Sequence, residues 1–191
     1  MAVYGLGGAN YNGQLGDGTT YDGTNGTQNT PIRIGVDTDW ASASAGGGYT
    51  VAIKIDGSLW TWGENGYGQL GDGTWESRNT PDRVGLDTDW VSVSTGYSHT
   101  VALKEDNSLW AWGYNYNGQL GDGTRANRNV PVKIGEDTDW ASVSTGYSYT
   151  MAIKEDGSLW AWGSNGWGRL GFNIWTLNIL SPIRIGGNVK E

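Results

Sequence analysis

Apolar and polar residues alternate along this chain in short runs, and no stretch carries the 3.6-residue rhythm of an amphipathic helix. Between Trp90 and Gly113, Val91, Val93 and Thr95 alternate with Ser92 and Ser94. Two further runs follow, Thr100 to Lys104 and Leu109 to Gly113, joined by Glu105-Asp106-Asn107-Ser108. The pattern predicts a strand and then a hairpin. Asp56-Gly57 and Asp156-Gly157 occupy the corresponding turn elsewhere, a pair that tolerates the left-handed backbone a tight hairpin needs. A fourth short run follows each proline: Ile32 to Ile34 after Pro31, Asp82 to Val84 after Pro81, Val132 to Ile134 after Pro131, and Ile183 to Ile185 after Pro182. A proline at the start of that run suits an outer strand, which need not donate every ladder bond.

The same order recurs every fifty residues, as Trp40, Trp90 and Trp140 and the pairs Trp60/Trp62, Trp110/Trp112 and Trp160/Trp162 show. The chain divides into a partial repeat over 1–39, full repeats over 40–89 and 90–139, and a repeat over 140–191 whose C-terminal end is atypical. Four short strands per fifty residues describe a β-propeller blade, so the expected fold is all-β, with about three and a half blades in 191 residues. The 33 glycines fit a turn-dense chain, and the absence of cysteine removes disulfides, thiol nucleophiles and thiolate-ligated metals. A net charge of −8 repels phosphate backbones and anionic lipid, so neither nucleic acid nor membrane is expected as a partner. The first residues carry no signal-peptide pattern and no run is long enough to span a bilayer. Localisation stays open between the cytoplasm and secretion after processing.

The strings Gly96-Tyr97-Ser98-His99, Asp156-Gly157 with Leu159-Trp160, Trp112-Gly113 with Asn115, and Gly118-Gln119-Leu120-Gly121 resemble the regulator of chromosome condensation (RCC1) repeat, in the flavour of bacterial RCC1-like proteins. That resemblance implies a seven-bladed ring and a role in protein recognition. Described members act as guanine-nucleotide exchange factors, as protein-binding platforms or as secreted inhibitors of β-lactamase. Exchange activity is the least expected here, because the chain carries about half the blades of such a member.

Motifs with a chemical reading each have a plainer one. Both rings of a Trp-x-Trp pair project from one strand face, and their recurrence makes them the seam between blades. Gly-Gln-Leu-Gly-Asp-Gly-Thr lacks the Gly-Lys-Ser/Thr ending of a phosphate loop and reads as a turn. Asp37/Asp39, Asp87/Asp89 and Asp137/Asp139 lack the further oxygen ligands of a calcium loop and read as turns before the Trp strand. His99 is the only histidine and aligns with Tyr49 and Tyr149, so the position does not require an imidazole. With no nucleophile elbow and one histidine, no catalytic residue, metal site or cofactor is expected, and the protein reads as a non-enzyme.

The repeats differ from one another mainly in two loops, and variable loops on a rigid scaffold carry recognition. Tyr67, Trp75, Arg78, Tyr114, Tyr116, Arg125, Arg128, Trp167 and Trp175 supply the aromatic and arginine anchors typical of binding surfaces. The expected function is a protein-binding module. The alternatives are a carbohydrate-binding propeller, or an engineered or excised repeat array with no ligand beyond self-assembly. Three and a half blades cannot close a ring, so the expected partner is a second copy of the chain, completing a homodimer or other homo-oligomer, with another protein as a further partner; the rival is a fragment of a longer propeller.

Overall fold

A computed structural model of the protein describes residues 4–5, 10–20, 30–171 and 178–186. Three antiparallel four-stranded sheets follow one another along the chain. The first runs β3 (Trp40–Ala45), β4 (Tyr49–Lys54), β5 (Leu59–Gly63) and β6 (Arg78–Arg83). The second runs β7 (Trp90–Thr95), β8 (His99–Lys104), β9 (Leu109–Gly113) and β10 (Arg128–Lys133). The third runs β11 (Trp140–Thr145), β12 (Tyr149–Lys154), β13 (Leu159–Ser164) and β14 (Asn178–Arg184). Ahead of them β1 (Tyr4–Gly5) pairs with β2 (Ile32–Arg33), the third and outer positions of the partial repeat. The propeller architecture expected from the repeat is therefore present as three blades and part of another.

Two details depart from the sequence pattern. The outer strands begin three residues before the proline, at Arg78 and Arg128, and the ladder slips between Arg128 and Val132. Pro131 thus sits inside the strand, at an irregularity where the missing N–H costs no ladder bond. On the first strand, pairing also slips between Trp90 and Ser92, so Trp90 is buried while Val91 is exposed. The strict alternation of valine and serine does not report burial there, because a bulge resets which face each side chain takes.

The core lies between sheets. Tyr49, Val51, Ile53 and Leu59 of the first sheet pack on Trp90, Ala102 and Trp112 of the second. Val101, Leu103 and Leu109 in turn meet Trp140, Ala152 and Trp162. The Trp-x-Trp pair serves this seam as expected, its second ring, Trp112, having no exposed surface. Truncating such a residue costs about 3–5 kcal/mol.

The Gly-Gln-Leu-Gly loop of one repeat closes on the next. The Gln69 carbonyl accepts hydrogen bonds from Trp112 Nε1 at 2.9 Å and Thr100 Oγ1 at 3.1 Å, and Gln14 receives Trp62 and Thr50 likewise. Gly71, at φ +74°, lies so close that a Cβ would stand 2.7 Å from Trp112 Nε1. Only glycine accepts both the conformation and the approach. At the inner edge Ser44 and Thr95 hydroxyls meet at 2.7 Å, and Ser94 and Thr145 at 2.9 Å. Each blade is thus tied to its neighbour at both radii.

Candidate recognition surface

In an antiparallel meander alternate connections fall at the same end. The β3–β4 and β5–β6 links and their equivalents therefore share one end of the blades, and the β4–β5 and β6–β7 links share the other. The two ends differ in chemistry.

At the second end, residues 34–39, 55–58, 84–89, 105–108, 134–139 and 155–158 carry twelve acids and no base. Six of those acids converge in pairs on three nearly buried lysines. Lys104 Nζ lies 2.6 Å from Asp87 and 3.0 Å from Asp89, and 4.7 and 4.8 Å from the ring centres of Trp90 and Trp110. Lys54 and Lys154 repeat this with Asp37/Asp39 and Asp137/Asp139. The Asp-x-Asp pairs brace the Trp seam through a lysine, a role the sequence spacing did not reveal. Burial pulls the lysine pKa down, but the aspartate hydrogen bonds and charges more than offset it, so each ammonium titrates above its ordinary value.

His99 belongs to the scaffold. Its ring is fully buried, Nε2 lies 3.1 Å from Thr150 Oγ1, and burial pushes its pKa down to about 3, so it is neutral near pH 7. The aligned Tyr49 hydroxyl donates to the His99 carbonyl and accepts from Thr100 Oγ1 at 3.1 Å. Among the described residues no three His, Cys, Asp or Glu side chains cluster to hold a metal.

The first end is aromatic. Tyr67 of the first blade meets Tyr114 of the second with ring centres 4.8 Å apart, and Tyr116 lies 6.5 Å from Tyr114 with the rings 17° from parallel. Tyr97 stacks on Tyr147 at 4.3 Å, joining the second and third blades. Burial, then the neighbouring Tyr67, Tyr116 and Tyr147, raise the Tyr114 pKa, which keeps its phenol protonated as a donor. Tyr97 and Tyr147 were absent from the sequence-derived set. Their signal was Gly47 at the aligned position, a difference between repeats hidden inside a motif that reads as scaffold.

The remaining predicted residues divide. Trp167 is 84 % exposed at φ +66°, inside a short 3-10 turn (Gly166–Gly168), and Trp75 is half-exposed on the first blade's loop. A large aromatic held in water in the left-handed region is the kind of outlier that marks functional sites. Arg125 Nη1 reaches the Tyr116 carbonyl at 3.5 Å. Arg78 and Arg128 instead pair with the nearly buried Asp72 and Asp122 at 3.0 and 2.7 Å. Burial works to raise the Asp122 pKa, yet Thr124 and Arg128 outweigh it and the net shift is downward. These pairs stiffen the loops behind the tyrosines. Trp175 lies outside the described residues.

The loops are held from below by Asn65 and Asn115, each fully buried. Asn115 Oδ1 accepts from Leu120 N at 3.0 Å while Nδ2 donates to Asp122, Thr124 and Ala126. A scaffold fastened this way presents its aromatics with little entropy left to lose on binding.

These repeats and their seams define a propeller of the RCC1 class. The sequence matches the "Regulator of chromosome condensation (RCC1) repeat" family over residues 2–53, 56–103 and 106–153, and a second profile of the same description over 40–69, 90–119 and 140–169. The chain belongs to that family. Among solved structures, Prp20p from Saccharomyces cerevisiae superposes with a TM-score of 0.86 at 21% identity over 98% of this chain and 47% of its own. Yeast RCC1 (Prp20) bound to Kap60 gives 0.85 at 21% over 98% and 45%, and human WBSCR16 gives 0.81 at 23% over 95% and 48%. The chain spans about half the length of these structures, and at such identity the likeness is one of fold. No curated protein sequence matches significantly.

Proposed function

We propose that this protein is a non-enzymatic binding module that recognises a protein partner through the tyrosine-rich end of its blades. The observation that carries this is the band of exposed rings at one end of the blades: Tyr67, Tyr116 and Trp167 on the loops that vary between repeats, and Tyr97 and Tyr147 on the β7–β8 and β11–β12 links. Aromatics of this kind bury large area with few torsions to freeze, which concentrates binding energy. Yeast RCC1 was solved bound to Kap60, and binding to Gsp1p and histones is described for Prp20p, so recognition of proteins occurs on this fold. A Tyr67→Ala/Tyr114→Ala/Trp167→Ala variant tests the reading. It should keep the wild-type urea midpoint within about 1 M, as surface changes do, and lose the partner that wild type captures from native extract. Unchanged capture by a folded variant would refute the surface.

A second reading concerns self-association. Ile153 is 42 % exposed and Leu159 36 %, whereas the aligned Leu103 and Leu109 are at 3 % and 0 % beneath the next blade. The shape that covers such a face elsewhere in the chain is another blade of the same repeat, and a second copy supplies one. Light scattering at 100 µM or so should then read above the 20.5 kDa of one chain, and Ile153→Glu should return it to that mass. A single 20.5 kDa species for the wild type would dismiss this reading.

A further inference from the structure

Resting on the proposed binding role, charge and ring geometry narrow the ligand. Residues 10–20, 64–78, 114–128 and 164–171 contain five acids (Asp17, Glu64, Asp72, Glu76, Asp122) and four bases (Arg78, Arg125, Arg128, Arg169). Two of each are spent on one another as Asp72–Arg78 and Asp122–Arg128. The described loops at the tyrosine end are thus within one charge of balance, while the larger excess of acid lies at the opposite end. A balanced aromatic surface gives no long-range attraction to a charged ligand and no penalty to a neutral one.

The rings do not form a flat platform. Tyr67 is tilted 55° to Tyr114, and Tyr116 repeats the Tyr114 orientation to within 17° one step of 6.5 Å away. A pyranose stacks on a plane; these rings make ridges. A polyproline II segment has three residues per turn and advances about 3.1 Å per residue, so residues i and i+2, on adjacent edges of its triangular cross-section, stand about 6.2 Å apart along the axis, close to the Tyr114–Tyr116 step. Such a segment has no internal hydrogen bonds, so its carbonyls are free to accept from phenols, and it is already ordered before binding. Tyr97 is fixed as a wall, since its carbonyl accepts from Gly47 N at 3.1 Å and its ring stacks on Tyr147.

We propose that the Tyr67/Tyr97/Tyr114/Tyr116/Tyr147 band binds an uncharged, proline-rich segment of a partner in the polyproline II conformation. Proline rings seat against the tyrosine faces, and hydroxyls donate to the ligand backbone. The docking is non-covalent and sequence-tolerant, fixed by conformation and by the spacing of the rings.

The test is a titration of the 15N-labelled protein with acetylated nonaproline amide, followed by amide shifts and repeated with cellotetraose and with an all-alanine-glycine peptide of equal length. Saturable shifts confined to residues 47, 66–68, 96–98, 114–118 and 146–148, seen with nonaproline only and weakened at least tenfold by Tyr114→Ala, are expected. Tyr114→Phe should keep the ring contacts and lose only a few-fold, which separates stacking from loss of fold. No saturable nonaproline shift at millimolar concentration overturns the proposal, as do equal shifts with the control peptide. Shifts with cellotetraose alone would overturn it in favour of a sugar. If nonaproline fails while the triple variant above still loses its captured partner, the ligand class is wrong and the binding surface stands.

Discussion

The contact between Gly71 and Trp112 makes a demand that can be weighed against a neighbouring glycine. Gly71 and Gly85 both have positive φ, +74° and +62°, but a Cβ on Gly71 would meet Trp112 at 2.7 Å whereas one on Gly85 would meet nothing within 4 Å. Gly85→Ala therefore costs the left-handed penalty alone, about 1–2 kcal/mol. Gly71→Ala adds overpacking of a fully buried seam, about 1–3 kcal/mol more. The gain from stiffening the unfolded chain is common to both and cancels in the comparison. With a urea slope of about 2 kcal/mol/M, the two midpoints should differ by roughly 0.5–1.5 M, Gly71→Ala being the lower. Trp112→Phe removes the indole edge that the new methyl strikes, so the double variant should be less unstable than the sum, a coupling of about 1 kcal/mol or more. Equal midpoints for Gly71→Ala and Gly85→Ala would show that the loop does not clasp the next blade and that the seam described above is wrong.

Other outcomes follow from the same contacts. Lys104→Met keeps the stem between Trp90 and Trp110 but discards the charge, and should cost about 1–3 kcal/mol because the half-exposed aspartates remain hydrated. The Lys104 pKa is raised on folding, so its contribution is complete below the ordinary value of 10.5 and fades as pH rises through the folded value. Lys104→Met lacks this pH-dependent loss, so its stability deficit against wild type should narrow as pH rises past 10.5, read as converging urea midpoints. His99 behaves in the opposite sense: with a folded pKa of about 3 against 6.5 unfolded, only the unfolded chain takes up the proton between those values. Stability should fall by up to about 1.4 kcal/mol per pH unit below 6.5 on this account, and His99→Tyr, matching Tyr49 and Tyr149, should flatten the slope in urea midpoints from pH 7 to 4.5. Asn115→Ala strips the bonds that anchor its loop and should cost about 2–4 kcal/mol by thermal unfolding, and Asn115→Asp should do no better, because it sets a buried carboxylate against the Asp122 carboxylate and the Thr124 and Ala126 carbonyls that Nδ2 served.

The repeat, the four-strand unit and the burial of the Trp-x-Trp rings were legible because each rests on residue spacing, which the fold preserves. The displaced start of the outer strands was not, since a proline marks where a ladder bond is missing without saying on which side the ladder continues. The lysine between Trp90 and Trp110 escaped for another reason: Lys104 ends one strand and Asp87 precedes another, and only the sheet brings them together. Of the candidate surface, Tyr67, Tyr114 and Tyr116 converge as the loop comparison suggested, whereas Arg78 and Arg128 turn inward to carboxylates. Charge alone does not say whether an arginine serves a ligand or its own loop.

The clasp at Gln69 uses a main-chain carbonyl, an atom every residue possesses. The joint between blades is therefore indifferent to what the loop displays outward, and the displayed residues can drift without loosening it. It also means that the sequence repeat and the folding unit are out of step. The stretch that recurs is fifty residues wherever it is cut, but the smallest piece able to bury its own tryptophan includes a loop borrowed from the repeat before it. A repeat in such a chain brings with it the socket for the tryptophan of the one that follows.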